Sequence, residues 1–215
     1  MAALLFGVAV GNSMRGMPIG ADMEFKGGFL DLLHPYTVLV GLFVVSLFAM
    51  HGAIYLHLKT TGELQQRIQG WIRCSFWVFV ALYALTTIYT LVDVPLATRN
   101  FGMMPLAWGV AAFNVLAIAN IPRAIRRGRP VYAFVSSSAT IAGLVLLLGI
   151  ALFPELVHST LTDGVSLDIY NAASSPKTLA IMAVIAAVGM PLVIVYTGVI
   201  YWVFRGKVEL GKFSY

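Results

Sequence analysis

The residues of this chain best placed to do chemistry are few, and His51 leads them. It sits six residues before His57 in HGAIYLH, and on a helix turning about 100° per residue the two rings point roughly 120° apart. One helix therefore cannot set both on a single metal. Ionisable groups inside a bilayer are functional-site hypotheses by default, so one reading gives His51 a proton path or a haem shared with another chain. The other has His51, beside Gly52 and Ala53, hydrogen-bonding at a helix contact while His57 meets the headgroups, and this is the first expectation.

The remaining candidates are thinner still. His34 and His158 fall in loops, where a solvated imidazole is expected. Asp93 precedes Pro95 and reads as a helix-end residue, with a proton donor as the alternative. Asn114 and Asn120 lie in an apolar run, so both should face other helices and bond across to them. The face bearing His51, Asn114 and Asn120 is therefore expected to be interior. Cys74, the one cysteine, excludes an internal disulfide and any CxxC motif; beside Arg73 at an expected helix start, it suits an ordinary thiol. No P-loop, GxGxxG, nucleophile with its base, or carboxylate pair within one span is present. No catalytic, cofactor-binding or metal-ligating residue is assigned.

The elements that carry these residues belong in a bilayer. Sixty per cent of the 215 residues are hydrophobic and 11% charged, with mean hydropathy +0.88, far from globular averages. Tyr36 to Leu58 holds no Asp, Glu, Lys or Arg, and its roughly 34 Å of helix exceeds a hydrocarbon core of about 30 Å. The expected fold is all-α: a polytopic bundle forming a single transmembrane domain over 1–215, with spans at about 36–58, 74–92, 103–121, 131–153 and 178–204, and an N-terminal stub at 1–11. The stub covers about 16 Å, half a bilayer, and is expected to stop at Asn12, Arg15 and Pro18. It lacks the basic n-region and Ala-x-Ala site of a signal peptide, so it reads as the end of a helix begun earlier.

Between spans, GELQQRIQGW (62–71) is expected to form a short interfacial helix anchored by Trp71. Pro122 should begin the exit of the third span, and Pro191 should kink the fifth. Pairs of small residues four apart, Gly7 with Gly11, Ala49 with Ala53 and Ala183 with Ala187, fit close helix approach.

Charge orients the chain. A net charge of +5 and a pI near 9.5 do not indicate nucleic acid, because the basic residues sit in short loops between apolar runs and not in one aromatic-studded patch. Loops 59–73, 122–130 and 205–215 carry Lys59, Arg67, Arg73, Arg123, Arg126, Arg127, Arg129, Arg205, Lys207 and Lys212. Loops 12–35, 93–102 and 154–177 carry Arg15, Lys26, Arg99 and Lys177. The positive-inside rule makes the first set cytoplasmic, the C-terminus with it, and reads the run of four arginines as a topology anchor.

Specific stretches then go further. GNSMRGMPIG, LLHPYTVLVGL, HGAIYLHLKTTGELQQR and FPELVHSTLTDGVSLDIYNAASSPKTLAIM, followed by PLVIVYTGVIYWVFRGKV and a terminal Ser214-Tyr215, resemble subunit II of the cytochrome bd quinol oxidases. The polar junctions carry the likeness most: Lys59-Thr-x-Gly-Glu-Leu, and Asn171-Ala-Ala-Ser-Ser-Pro. The resemblance implies nine spans with the N-terminus outside, of which the first three and most of the fourth would be absent here. It implies a respiratory complex in the bacterial inner membrane that oxidises quinol, reduces dioxygen to water and builds a proton gradient. Haems b558, b595 and d would lie in the partner, subunit I; a small single-span accessory subunit and membrane lipid complete the implied partners. The alternatives are a haem-free carrier or permease fragment, which should show internal repeats and paired broken helices, and an inactive truncated product.

Overall fold

The computed structural model describes residues 1–207; Lys212 and Ser214-Tyr215 lie outside the described residues. Six helices dominate: α1 (Ala2–Arg15), α2 (Pro35–Lys59), α3 (Gly62–Asp93), α4 (Leu106–Arg126), α5 (Pro130–Leu152) and α6 (Pro176–Val203). The last five are long and apolar enough to cross a membrane. Short 3-10 turns at Phe29–Leu32 and Pro95–Phe101, and a two-stranded hairpin of β1 (Glu155–Val157) with β2 (Leu167–Asp168), complete the described elements.

Local chemistry starts the helices. Pro35, Pro130 and Pro176 stand in the first turns of α2, α5 and α6, where a missing N–H costs nothing. The His34 ring accepts the Tyr36 N–H at 3.3 Å, and Ser175 Oγ accepts the Thr178 N–H at 3.3 Å, so α2 and α6 each open on a side-chain cap.

Three sequence expectations change. The stub passes Asn12 and ends at Arg15, because Asn12 Nδ2 donates to Val8 O and to Leu32 O, both at 2.9 Å. That side chain is a buried tie and not a stop. The interfacial helix and second span are one continuous α3 of 32 residues, about 48 Å long. With only Gly70 between Gly62 and Cys74, nothing there breaks a helix, and Cys74 sits well inside it, exposed. Pro122 lies within α4, which runs on to Arg126. Pro122 O accepts Arg126 Nε at 3.3 Å and Arg123 O accepts the Arg127 N–H at 3.1 Å, so the last carbonyls of this helix are partly satisfied. Pro191 lies inside α6, which is helical on both sides of it.

Packing follows the small residues. Lipid is as apolar as Leu, so helix association in a membrane rests on close fit and interhelical hydrogen bonds. A Cβ placed on Gly7 would lie 2.6 Å from Gly41 Cα, one on Gly11 2.9 Å from Thr37 Cα, and one on Gly41 2.9 Å from Leu4 O. Backbone therefore meets backbone between α1 and α2. Ala53 packs in the core while Ala49 is exposed, and Ala183 and Ala187 are both exposed, so neither pair forms a seam of the Gly7–Gly11 kind. The core joins Phe43, Leu47, Met50 and Ile54 of α2 to Ile72, Phe76 and Phe79 of α3, and reaches Ile118 and Ile121 of α4 and Ala133 of α5. Phe43 stacks on Phe79 at 5.7 Å. Helix α6 buries none of its residues.

The loops sort into two ends. At one, Met17 N–H donates to His158 O (2.9 Å) and Ser159 Oγ to Ile19 O (2.7 Å), joining loops 12–35 and 154–177, while Asn100 Nδ2 donates to Ile150 O (2.8 Å) and to Phe153 O, tying loop 93–102 to the end of α5. At the other, Gln65 Nε2 donates to His57 O (3.1 Å) and Lys59 Nζ to Phe204 O (2.8 Å). This is the pairing of loops that alternate spans require.

Candidate functional site

The buried polar atoms of the bundle converge on one face of α5. Ser136, Ser137 and Thr140, at positions i, i+1 and i+4, share that face and are all buried. Asn120 Nδ2 of α4 donates to Ser136 Oγ at 2.8 Å, and Asn114 Nδ2 donates to Thr140 O at 2.8 Å. His51 Nδ1 of α2 lies 2.9 Å from Ser137 Oγ. The single Ser137 proton goes to Phe134 O at 2.8 Å, so His51 is the donor and carries its proton on Nδ1. The imidazole also stacks on Phe134, ring centroids 5.0 Å apart.

These bonds hold α2 and α4 against α5. Gly143 makes room: a Cβ there would come within 2.5 Å of Asn114 Nδ2. Asn114 is fully buried and its Oδ1 has no partner among the described residues. The three residues singled out in the sequence thus share one seam. Its α5 side was legible too, as the only Ser-Ser-Ser-x-Thr run inside an apolar span, and was overlooked.

The other histidines stay apart from this seam. His57 Nδ1 donates to Gln65 O at 3.3 Å across the α2–α3 turn. His34 caps α2; partial burial, then the nearby positive charge of Arg15, lower its pKa below the usual imidazole value, against a smaller raising effect of Asp93. Asp93 is the exposed last residue of α3. Away in the first loop, the Lys26 hydrogen bond holds the Asp22 carboxyl below its ordinary range.

His158 is not free in solvent. Its Nδ1 donates to Glu155 Oε2 at 2.9 Å with Ser166 Oγ at 3.2 Å, while Arg99 Nη1 approaches Glu155 Oε1 at 3.2 Å. Glu155 therefore bridges a guanidinium and an imidazole beside a cavity of about 10 Å3, shared with Ser13 and Met14, room for about one water. This cluster joins the β-hairpin to the Pro95–Phe101 turn. Sequence reasoning missed it because Arg99 lies 56 residues from Glu155, and because Glu155 and His158, only three residues apart, were read as solvated loop residues.

What both groups of residues do is position helices and loops. Among the described residues no three His, Cys, Asp or Glu gather as a metal site.

Known proteins give this scaffold its context. The family described as cytochrome bd terminal oxidase subunit II matches residues 1–204. Cytochrome bd-I ubiquinol oxidase subunit 2 of Escherichia coli (strain K12) is 29% identical over 235 residues, covering 95% of this chain and 62% of the relative. Cytochrome bd ubiquinol oxidase subunit 2 of Bacillus subtilis (strain 168) is 30% identical over 206 residues, 95% of this chain and 60% of its own length. A probable cytochrome oxidase subunit 2 of Haemophilus influenzae is 27% identical across 91% of the chain and 59% of the relative. The chain spans about three fifths of the length of these relatives. With the match running from Met1 to the end of α6, over the seam and the knitted loops alike, the chain belongs to the cytochrome bd terminal oxidase subunit II family.

Proposed function

We propose that the chain serves as subunit II of a quinol:dioxygen oxidoreductase in the bacterial inner membrane, as a single transmembrane domain that holds the haem-bearing subunit I. The observation that carries this reading is the family match over nearly the whole chain. The relatives named as ubiquinol oxidase subunits support quinol as the electron donor. Haems b558, b595 and d, when bound in subunit I, supply the electron transfer and dioxygen chemistry. On this chain His51 is committed to Ser137 and Phe134, which fits a helix-holding role, and no residue here is assigned to the reacting atoms.

The bare length of α6 supports a role in contact with other membrane components, subunit I, lipid or a small accessory subunit. The ten Lys and Arg of loops 59–73, 122–130 and 205–215 support a cytoplasmic C-terminus. A carrier working by alternating access would need discontinuous helices in matched positions, whereas α6 is continuous at its one internal proline.

The test is a reduced-minus-oxidised spectrum of the complex drawn from native membranes by a tag after Tyr215. Haem d bands together with a second membrane chain are expected. A haem-free preparation of this chain alone would overturn the reading.

A further inference from the structure

We propose that the α4–α5 turn binds the phosphate of an anionic phospholipid, with Arg123, Arg126 and Arg127 around the headgroup and the acyl chains lying along α5. Arg123 and Arg126 stand at i and i+3 on α4, about 60° apart around its axis; Arg127 caps that helix, and Arg129 follows at once. All four are exposed. None pairs with a carboxylate among the described residues, and the sequence holds no Asp or Glu between Asp93 and Glu155. A guanidinium offers a planar fork of donors that matches phosphate oxygens two at a time, and every cation in this turn is Arg.

The surroundings favour a lipid over a free anion. The turn is tight, closed by Gly128 N–H to Ile125 O at 3.0 Å and Arg129 N–H to Ala124 O at 3.0 Å, so the arginines stand where the helices leave the bilayer. Arg129 lies over the Tyr132 ring, 5.6 Å from its centroid, and an exposed Tyr at a helix start is an interfacial anchor. Val131 and Val135, 56% and 57% exposed, share the next turn of α5 and give an acyl chain an apolar track. The other arginines of this end, Arg67, Arg73 and Arg205, are dispersed along α3 and after α6 and make no such group of guanidiniums. Positive-inside placement accounts for the sign of the charge; it does not require three arginines gathered at one helix end.

The test uses the full-length protein with its partner in nanodiscs of phosphatidylcholine holding a minority of phosphatidylglycerol, and native mass spectrometry of the retained lipid. The wild type should retain phosphatidylglycerol well above its bulk share. Each guanidinium removed should lower that preference about fivefold. Arg123→Gln/Arg126→Gln/Arg127→Gln should therefore lose it, while the charge-matched Arg67→Gln/Arg73→Gln/Arg205→Gln keeps it. Should the triple variant fail to assemble, Arg127→Gln alone, with three arginines left to hold topology, should show the single step.

Equal loss in both triple variants, no loss in either, or no preference in the wild type would overturn the site. Millimolar inorganic phosphate should leave the retained lipid in place; displacement would mark a free-phosphate site and overturn the lipid assignment. Haem content read from the same samples reports on the oxidase reading separately, since lipid retention by a haem-free protein would leave this site standing.

Discussion

Helices α2 and α6 are close to interchangeable as sequences and opposite as structures. Each exceeds 24 residues, opens on a capped proline turn and is rich in small and branched apolar residues. Yet α2 buries eleven of its residues and α6 none. The difference lies in what each small residue meets. Gly41 faces the Leu4 carbonyl and a Cβ on Gly7 would strike it, whereas a Cβ added at Gly189 or Gly198 in α6 would find nothing within 4 Å. Apolar composition puts a helix in the membrane; a complementary small surface or a hydrogen-bonding partner is what gives it a neighbour. Helix α2 has both, through Gly41 and through His51 and Tyr36, whose hydroxyl lies 2.9 Å from Thr90 Oγ1.

The contrast can be broken most directly at the glycines. Gly41→Ala should destabilise the full-length protein by about 1–3 kcal/mol, since an added methyl here overpacks rigid backbone. Gly198→Ala should be neutral or stabilising by up to about 1 kcal/mol through helix propensity. Thermal melts in one neutral detergent would decide; equal shifts would mean that the α1–α2 fit carries no special weight.

The seam should give the next largest effect. Asn114→Ala removes the bond to Thr140 O, and interhelical bonds of this kind average about 0.6 kcal/mol with a maximum near 1.7. Asn120→Ala, only partly buried, should fall at or below that average. A double-mutant cycle of Asn120→Ala with Ser136→Ala should recover a coupling energy, and a cycle pairing Asn120→Ala with Ala183→Leu of α6 should recover none.

The smallest effects are expected at the two caps, of which only the His34 cap depends on pH. His34 must be unprotonated on Nδ1 to accept the Tyr36 N–H, and its pKa is lowered in the folded protein. Its contribution is therefore complete above the ordinary imidazole value of 6.5 and is lost as the pH falls from there through the lowered value. Arg15 and Asp93 are the charges that bear on this ring. His34→Asn, which keeps a capping oxygen, should flatten that part of the stability profile between pH 7 and 5. The Ser175 cap of α6 has no titratable group, so Ser175→Asn should leave the profile unchanged; a flattening there instead would reverse the assignment.

Sequence reading recovered the five spans because an unbroken apolar run of that length has few other uses. It placed His51, Asn114 and Asn120 inside because polar groups in lipid need partners. It failed where local signals were outvoted by neighbours. Asn12 reads as a helix stop until Leu32 O is known to lie beside it, and Pro122 reads as an exit until Arg126 is seen to bond its carbonyl. The Arg99–Glu155 contact had no local signature, since it depends on two loops that only the closed bundle brings together; the Glu155–His158 pair and the β-hairpin lie within one loop, whose strands of three and two residues are too short for a period-2 pattern to show.

The unbroken length of α3 has a mechanical consequence. Its first dozen residues, Gly62 to Arg73, extend about 18 Å on the same rigid rod as Phe76 and Phe79 in the core. With no hinge between them, a tilt of about 10° at the aromatic fulcrum, about 21–25 Å away, swings the Gly62 end by roughly 4 Å. That end is tied to α2 through Gln65 and His57. The surface turn and the packed interior are thus a single lever, and a load on the one is a displacement of the other.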